Sequence, residues 1–453
     1  MKNYKLINIL SVSMVLVLGT AFLSFGNRPD YSETEKRDLA EFPDFSVKAL
    51  LNGDFTKGVD VWFSDTVPNR TKFLNNNSDF KSYFGLKKDG VTIIDSGDDT
   101  QKPDKAVVTE IVKAPVEVVV PDVTSAPAVT TAPVSTTAAT QAVVTTVETE
   151  EVIQHEAEGG VLSGNIIVYK NRGMPQFYGT LAQGTNYAAY INAFKADLGE
   201  NVNVYSMVVP TAQTFYMPEK YLKECSSEPD QLTNIRNNLQ NVIDINLVPT
   251  FNEHKDEDIY LRTDHHWGAL GAFYAAEQFA DIAQTNFLPL ATFRKIEWDG
   301  YVGTLYGYSN NNPDLKNNPE TFYAYEPLNM EKLDCQYYST SYTDPVKTTL
   351  IWEDVSVSNA YISFMGGDEK INDIRTSHEN GRTLAIFKDS YGNAIQPFLT
   401  NSFSRIITID IRYFDLNAIQ FLQEQNVTDV LFCMNTFSAF GSNSKKIEQI
   451  RTQ

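Results

Sequence analysis

Cysteine, histidine and positive charge are all scarce in this chain, and each scarcity excludes something. Its three cysteines, Cys225, Cys335 and Cys433, are too few and too scattered for a disulfide framework or a zinc knuckle. Lysine and arginine number 37 against 57 acidic residues, a formal net charge of −20. A surface of that sign repels phosphate, which argues against nucleic acid or another polyanion as a partner. One uncharged apolar run stands out, Leu6 to Phe25, preceded by Lys2 and Lys5. It has about the 20 residues that a membrane helix needs. The basic flank lies before it, which directs the rest of the chain out of the cytoplasm. With no obvious small-residue cleavage site, residues 1–27 are expected to be an uncleaved single-pass anchor; cleavage would make the protein secreted.

Residues 99–160 lack aromatics and leucine altogether and are dominated by Thr, Val, Ala and Pro. Such a composition buries too little apolar surface to offset chain entropy, so an inserted disordered segment is expected there, a solvated spacer in preference to an O-glycosylated one. Before it, residues 28–98 carry a helical pattern with Phe55, Val59, Trp62 and Phe63 on one face. From 161 to 453 the texture is that of a main α/β domain. Strand-like apolar runs occur at 202–210, 383–387, 405–411 and 427–434, and residues 269–283 have helical spacing. Apolar strands separated by helices predict a largely parallel sheet covered on both faces, with ligands at the carboxyl ends of the strands.

Chemistry is therefore sought just after each strand. In "LAIFKDSYGN" a strand ends and a helix is expected to begin at Ser390. A serine on such a turn presents its hydroxyl beside free N–H groups, although Asp or Ser there also serves simply as an N-cap. Two of the five histidines stand together in "TDHHW". In an extended segment Asp264 and His266 share a face while His265 leaves by the other, so Asp-x-His supplies a base and the carboxylate that orients it. The competing readings are a helix-capping Asp264 with ordinary histidines and, more weakly, a metal site, for which no third ligand is evident. Thr211 and Gln213 after one strand, and Arg412 and Tyr413 after another, are candidates for the same pocket or for its rim.

The stretch "TDHHWGALGAF" resembles the signature of the bacterial DHHW family, which is similar to the SGNH-like domains of periplasmic alginate O-acetyltransferases. "SETEKRDLAEFP", "WFSDTVPNR", "VVPTAQTFY", "GYVGTLYGY", "KDSYGN" and "IDIRYFD" occur around it in the expected order, and the Thr-rich segment departs as an insertion between "GLKKDGVTIIDSG" and "GNIIVYKNRGMPQFYG". The resemblance implies an SGNH-hydrolase-like α/β fold of flavodoxin-like type, permuted because the serine block comes last. By the same resemblance Ser390 is the nucleophile, His266 the base and Asp264 the orienting acid. No residue matches the Gly and Asn blocks of that superfamily; Tyr391, Asn393, Gly303 and Asn435 are the candidates for the oxyanion hole or substrate contacts.

The function expected is a serine-dependent O-acyl, in particular O-acetyl, transferase or esterase acting outside the cytoplasm on a carbohydrate polymer. It needs neither metal nor cofactor. The resemblance implies a membrane-bound O-acyltransferase as acyl donor. A tyrosine- and asparagine-rich segment at 299–345 suits a glycan-binding face and equally suits ordinary scaffold. The alternative is a non-catalytic anchored protein that binds glycan or scaffolds a polysaccharide-modification system. The two diverge on whether Ser390 can meet a His266 oriented by Asp264.

Overall fold

The computed structural model describes residues 28–67, apart from Asp30, 33–36 and Gly53, and then 153–328 and 332–453. The expected anchor and most of the Thr-rich insertion lie outside the described residues. Among the described residues no helix is long and apolar enough to cross a membrane. Near the N-terminus, α1 (Asp54–Asp65) forms where the helical pattern predicted it.

After the insertion come β1 (Val161–Ser163), β2 (Ile166–Tyr169) and β3 (Arg172–Pro175), a small antiparallel sheet. The end of the segment expected to be disordered, residues 153–160, is tied down instead. His155 Nδ1 lies 3.1 Å from the Met217 carbonyl, and the Glu219 N–H donates to the Glu156 carbonyl. Helix α2 (Leu181–Leu198) opens with a capping box, Thr180 and Gln183 each holding the other's backbone N–H. Strand β4 (Asn203–Val209) stops before Pro210, as its apolar run predicted.

The elements that follow complete one sheet and much of its cover. They are α3 (Glu228–Asn238), β5 (Ile243–Asp244), α4 (Ala269–Ile282), the hairpin β6 (Phe293–Tyr301) with β7 (Glu320–Pro327), β8 (Asp334–Tyr338), β9 (Val346–Thr348), β10 (Ile371–Arg375), β11 (Thr383–Lys388), β12 (Arg405–Asp410), α5 (Ala418–Glu424), β13 (Asp429–Asn435) and α6 (Ser444–Thr452). The sheet order is β9-β8-β10-β12-β11-β13-β4-β5. Pairing is parallel from β12 through β11, β13 and β4 to β5, and antiparallel across β9, β8, β10 and β12. The sheet is therefore mixed, and the antiparallel edge departs from the largely parallel expectation.

Both faces are covered because the central strands are apolar on both sides. On one face Tyr187, Ile191, Phe194, Leu232, Phe421 and Ile447 of the surrounding helices pack against Phe387 and Phe432. On the other, Trp267 and the α4 residues Ala272, Ala276 and Phe279 pack with Leu384, Ile386 and Leu431. β11 sits in the middle of this sandwich, so its carboxyl end, where Ser390 follows, is held from both sides. All three cysteines are free thiols.

Candidate active site

β11 ends at Lys388, and the chain turns sharply through Asp389 into Ser390. The expected α-helix is instead a single 3-10 turn, Ser390–Asn393, followed by a second, Gln396–Leu399. Pro397 interrupts a regular helix, and a side chain at Gly392 would meet the Lys388 stem at 2.5 Å. Asp389 caps this turn. One carboxylate oxygen accepts the Tyr391 N–H at 2.9 Å, and the other accepts the Asn435 N–H at the end of β13 at 3.0 Å. Burial pushes the Asp389 carboxyl above its ordinary range.

The Asp-His-His-Trp stretch reaches this turn from the loop before α4. Trp267, fully buried, donates its indole N–H to the Tyr391 carbonyl at 2.9 Å. In return the Tyr391 hydroxyl donates to the His265 carbonyl at 2.5 Å. These two crossed bonds fix the histidine segment against the serine turn. As a result His266 Nε2 lies 2.7 Å from Ser390 Oγ, and His266 Nδ1 lies 2.6 Å from Asp264 Oδ1.

Asp264 is saturated with donors. Besides the imidazole, Oδ1 accepts the His266 backbone N–H at 3.1 Å. Oδ2 accepts the Tyr301 hydroxyl at 3.0 Å, the Thr304 N–H at 2.9 Å and the Thr304 hydroxyl at 3.1 Å. Burial opposes its ionisation, but the adjacent His265 and His266 and the hydrogen bonds outweigh burial and hold the carboxyl well below the usual carboxylate range. An ionised Asp264 accepts the proton on Nδ1, so Nε2 is left bare toward the serine hydroxyl. The Tyr361 ring stacks on the His266 imidazole at 3.7 Å, and its hydroxyl donates to the Ser390 carbonyl at 3.0 Å.

His265 does not leave by the opposite face. The segment bends rather than extending, so period-two alternation does not apply. Its ring lies 3.9 Å from that of His266, and its Nδ1 lies 2.8 Å from Thr304 Oγ1. Desolvation, reinforced by His266, pushes its pKa down to about 3. Asp264, His265 and His266 stand close enough together to hold a metal ion. Both nitrogens of His266 are, however, committed to Asp264 and Ser390, so an ion there would have to break that relay.

The other expected residues fall into distinct places. Thr211 and Asn435 line a pocket beside the site together with His265 and Tyr391. The Thr211 N–H and hydroxyl both donate to Glu228, a fully buried carboxylate that also receives the hydroxyls of Thr214 and Thr436. Asn435 uses its Oδ1 to accept the Ser438 N–H at 2.9 Å. Gln213 is structural, its Oε1 accepting the Phe177 N–H at 2.8 Å. Arg412 is buried and pairs with Asp410 and Asp368, each at 2.8 Å, with Tyr413 beside it. Asn393 donates to Asp368 at 2.7 Å. Two candidate oxyanion donors are corrected. The Tyr391 N–H is taken by Asp389, and the Gly303 N–H is taken by Thr263 Oγ1 at 3.0 Å. Gly303 is glycine for another reason: a Cβ there would sit 2.3 Å from the Cβ of Asp264.

No local pattern marks Thr304, Tyr361 or Asp389 for the relay, and Tyr301 reads only as one tyrosine of the 299–345 segment. Tyr301 and Thr304 bracket Gly303 in the quoted "GYVGTLYGY", and Asp389 precedes the serine in "KDSYGN". Tyr361 carries no sequence signal.

The family model of the DHHW protein matches residues 35–409. A crystal structure of a DHHW family protein from Eubacterium siraeum is similar at 41% identity, over 65% of this chain and 98% of that one, with a TM-score of 0.61. Bacillus cereus PatB1, solved with a sulfonyl adduct, is similar in fold at 20% identity, over 63% of this chain and 97% of that one, with a TM-score of 0.51. A second structure of PatB1 matches at 19% identity, over 63% and 98%, with a TM-score of 0.50. No curated protein matches the chain. A mixed sheet flanked by helices is thus shared with these proteins, and by the match over most of its length this chain belongs to the DHHW family.

Proposed function

We propose that this protein is a serine-dependent O-acyl transferase or esterase that works on glycan hydroxyls outside the cytoplasm. The observation that carries the reading is the unbroken relay from Asp264 through His266 to Ser390, at 2.6 and 2.7 Å. Serine is a weak nucleophile unless a base takes its proton, and the base needs a fixed tautomer. Here Asp264 fixes the tautomer, Tyr361 fixes the ring plane, and the crossed bonds of Trp267 and Tyr391 fix the distance.

The chemistry follows from that geometry. Ser390 Oγ attacks the carbonyl carbon of an acyl donor while His266 Nε2 takes the hydroxyl proton. The tetrahedral intermediate collapses, the leaving alcohol receives that proton, and an acyl ester remains on Ser390. A hydroxyl of the acceptor, or water, then attacks this ester and gives its proton to His266, which returns it to Ser390 Oγ. The donors we assign to the oxyanion are the Ser390 N–H and the side-chain amide of Asn435, whose oxygen is already fixed by Ser438.

The remaining parts of the reading are proposals of the same kind. We take the fold as a permuted SGNH-hydrolase-like domain, built from residues 28–98 and 153–453, with the segment between them as a spacer. Residues 6–25 would hold it to the membrane, and a membrane-bound O-acyltransferase would supply the acyl group. An acetylated aryl ester tests the chemistry. The full chain should release the aryl alcohol with a burst, and Ser390→Ala and His266→Ala should each abolish the burst. Turnover that survives both substitutions would point to a binding or scaffold role and to adventitious hydrolysis.

A further inference from the structure

The relay accounts for His266 but leaves its neighbour without a task. The protonation of His265 can be read from its contacts. Thr304 Oγ1 lies 3.1 Å from Asp264 Oδ2, a carboxylate oxygen that can only accept, so the threonine proton points there. Toward His265 Nδ1, 2.8 Å away, the same oxygen must therefore act as acceptor. His265 thus carries its proton on Nδ1, and its Nε2 is a bare lone pair.

That Nε2 is buried and has no hydrogen-bond partner among the described residues. A buried acceptor left unpaired costs stability, and in a native protein such a group calls for an explanation. Protonation does not supply one, because burial and the neighbouring His266 push the His265 pKa down to about 3. For the same reason His265 is too weak a base to replace His266. What remains is a neutral ring nitrogen that can accept one hydrogen bond from an incoming donor.

Its surroundings indicate the donor's chemistry. The His265 ring lines the pocket beside the relay together with Thr211, Asn435, Tyr391, Leu305 and Phe437. A lining that combines polar groups with apolar side chains suits a sugar ring, whose edge is hydroxyl and whose face is C–H. We propose that His265 Nε2 accepts a hydrogen bond from a second hydroxyl of the acyl acceptor, next to the hydroxyl that attacks the acyl-serine. This deepens the acyl-transfer reading and rests on it. The acceptor class is then a vicinal diol, as in a pyranose, in preference to water or a simple alcohol. His265 takes no proton in the reaction; the attacking hydroxyl still gives its proton to His266, and Ser390 Oγ still leaves with it.

Two substitutions separate this role from a structural one. In His265→Asn the amide can occupy the place of Nδ1 and keep the Thr304 bond, but nothing stands at Nε2. In His265→Gln the amide reaches the place of Nε2, with an oxygen that can accept, and the Thr304 bond is lost. The full chain is acylated with 4-nitrophenyl acetate and allowed to partition between water, methyl α-glucoside and ethanol. Because all products arise from one acyl-enzyme, their ratios are independent of how much acyl-enzyme each variant forms.

Wild type should favour the glucoside over ethanol. His265→Asn should reduce the glucoside-to-water ratio by about tenfold, as expected for one lost hydrogen bond, and leave the ethanol-to-water ratio within about twofold. His265→Gln should retain more of the glucoside ratio than His265→Asn. The proposal is overturned if wild type shows no preference for the glucoside, if His265→Asn partitions like wild type, or if the Gln variant partitions worse than the Asn variant. A wild-type protein that forms no acyl-enzyme overturns the acyl-transfer reading itself, and this inference with it.

Discussion

Gly303→Ala isolates the contribution of the Asp264 position without substituting any member of the relay. The added methyl would lie 2.3 Å from Asp264 Cβ, 2.4 Å from its Oδ2 and 2.8 Å from its Cα. Ordinary contact begins at 3.4 Å, so the two segments must part by about 1 Å. They cannot part freely, because the Tyr301 and Thr304 donors to Oδ2 flank Gly303 at the end of β6. Separation therefore stretches three hydrogen bonds on one oxygen and drags the other away from His266 Nδ1. Overpacking of this kind typically costs about 1–3 kcal/mol of stability. Misplacing a catalytic group by about 1 Å costs on the order of 10² in rate. The acylation rate constant for 4-nitrophenyl acetate, measured beside a thermal melt, should fall by roughly that factor while the protein remains folded at assay temperature. A Gly303→Ala protein that acylates within about threefold of wild type would refute the argument that the Asp264 position limits the chemistry. Gly300→Ala is the comparison: it has a positive φ of 85° but nothing within 4 Å, so backbone strain is its only local cost.

Asp264→Asn should lower acylation by about 10⁴, the effect of the equivalent change in the serine-protease template, because the wrong tautomer is favoured; stopped-flow with the same ester reads it directly. Stability should fall in acid through His265. Its folded pKa of about 3 lies below the ordinary 6.5, so the unfolded chain binds the extra proton between those values. Urea melts should lose up to about 1.4 kcal/mol per pH unit from this group as pH drops through that window, and His265→Asn should flatten the slope. Lys388 is fully buried with Nζ 3.0 Å from Asp410 and 3.3 Å from Asp368. Lys388→Met leaves Arg412 as the one cation paired with both carboxylates among the described residues and should cost about 3–5 kcal/mol in the same melts.

Much of this site was legible because its chemistry is compact in sequence. The two-residue spacing of Asp264 and His266, and a serine three residues after the apolar run "TLAIF", pointed to residues that the fold brings within hydrogen-bond reach. Period-two reasoning failed at His265, since it presumes a strand and the chain bends there. The donors to Asp264 come from a loop nearly forty residues later, and no local pattern announces such a pairing. The central parallel strands were readable because they are apolar on both faces. The antiparallel edge was not: β8 and β10 read "DCQYY" and "INDIR", where buried polar residues such as Asp373 are satisfied by Arg405 at 2.7 Å from the neighbouring strand β12. An α-helix after Ser390 was expected from the strand-helix alternation, but Gly392 and Pro397 leave only 3-10 turns.

Intact-mass analysis after treatment with an aryl sulfonyl fluoride tests the central claim most directly. A sulfonyl group reacts with a hydroxyl only where a base has activated it, so the adduct reports the relay without requiring the natural acyl donor or acceptor. The full chain should gain a single sulfonyl group, mapped by peptide digestion to Ser390, absent from Ser390→Ala and slowed by orders of magnitude in His266→Ala. Equal labelling of Ser390→Ala, or no labelling of the wild-type protein, would contradict the assignment of Ser390 as the nucleophile.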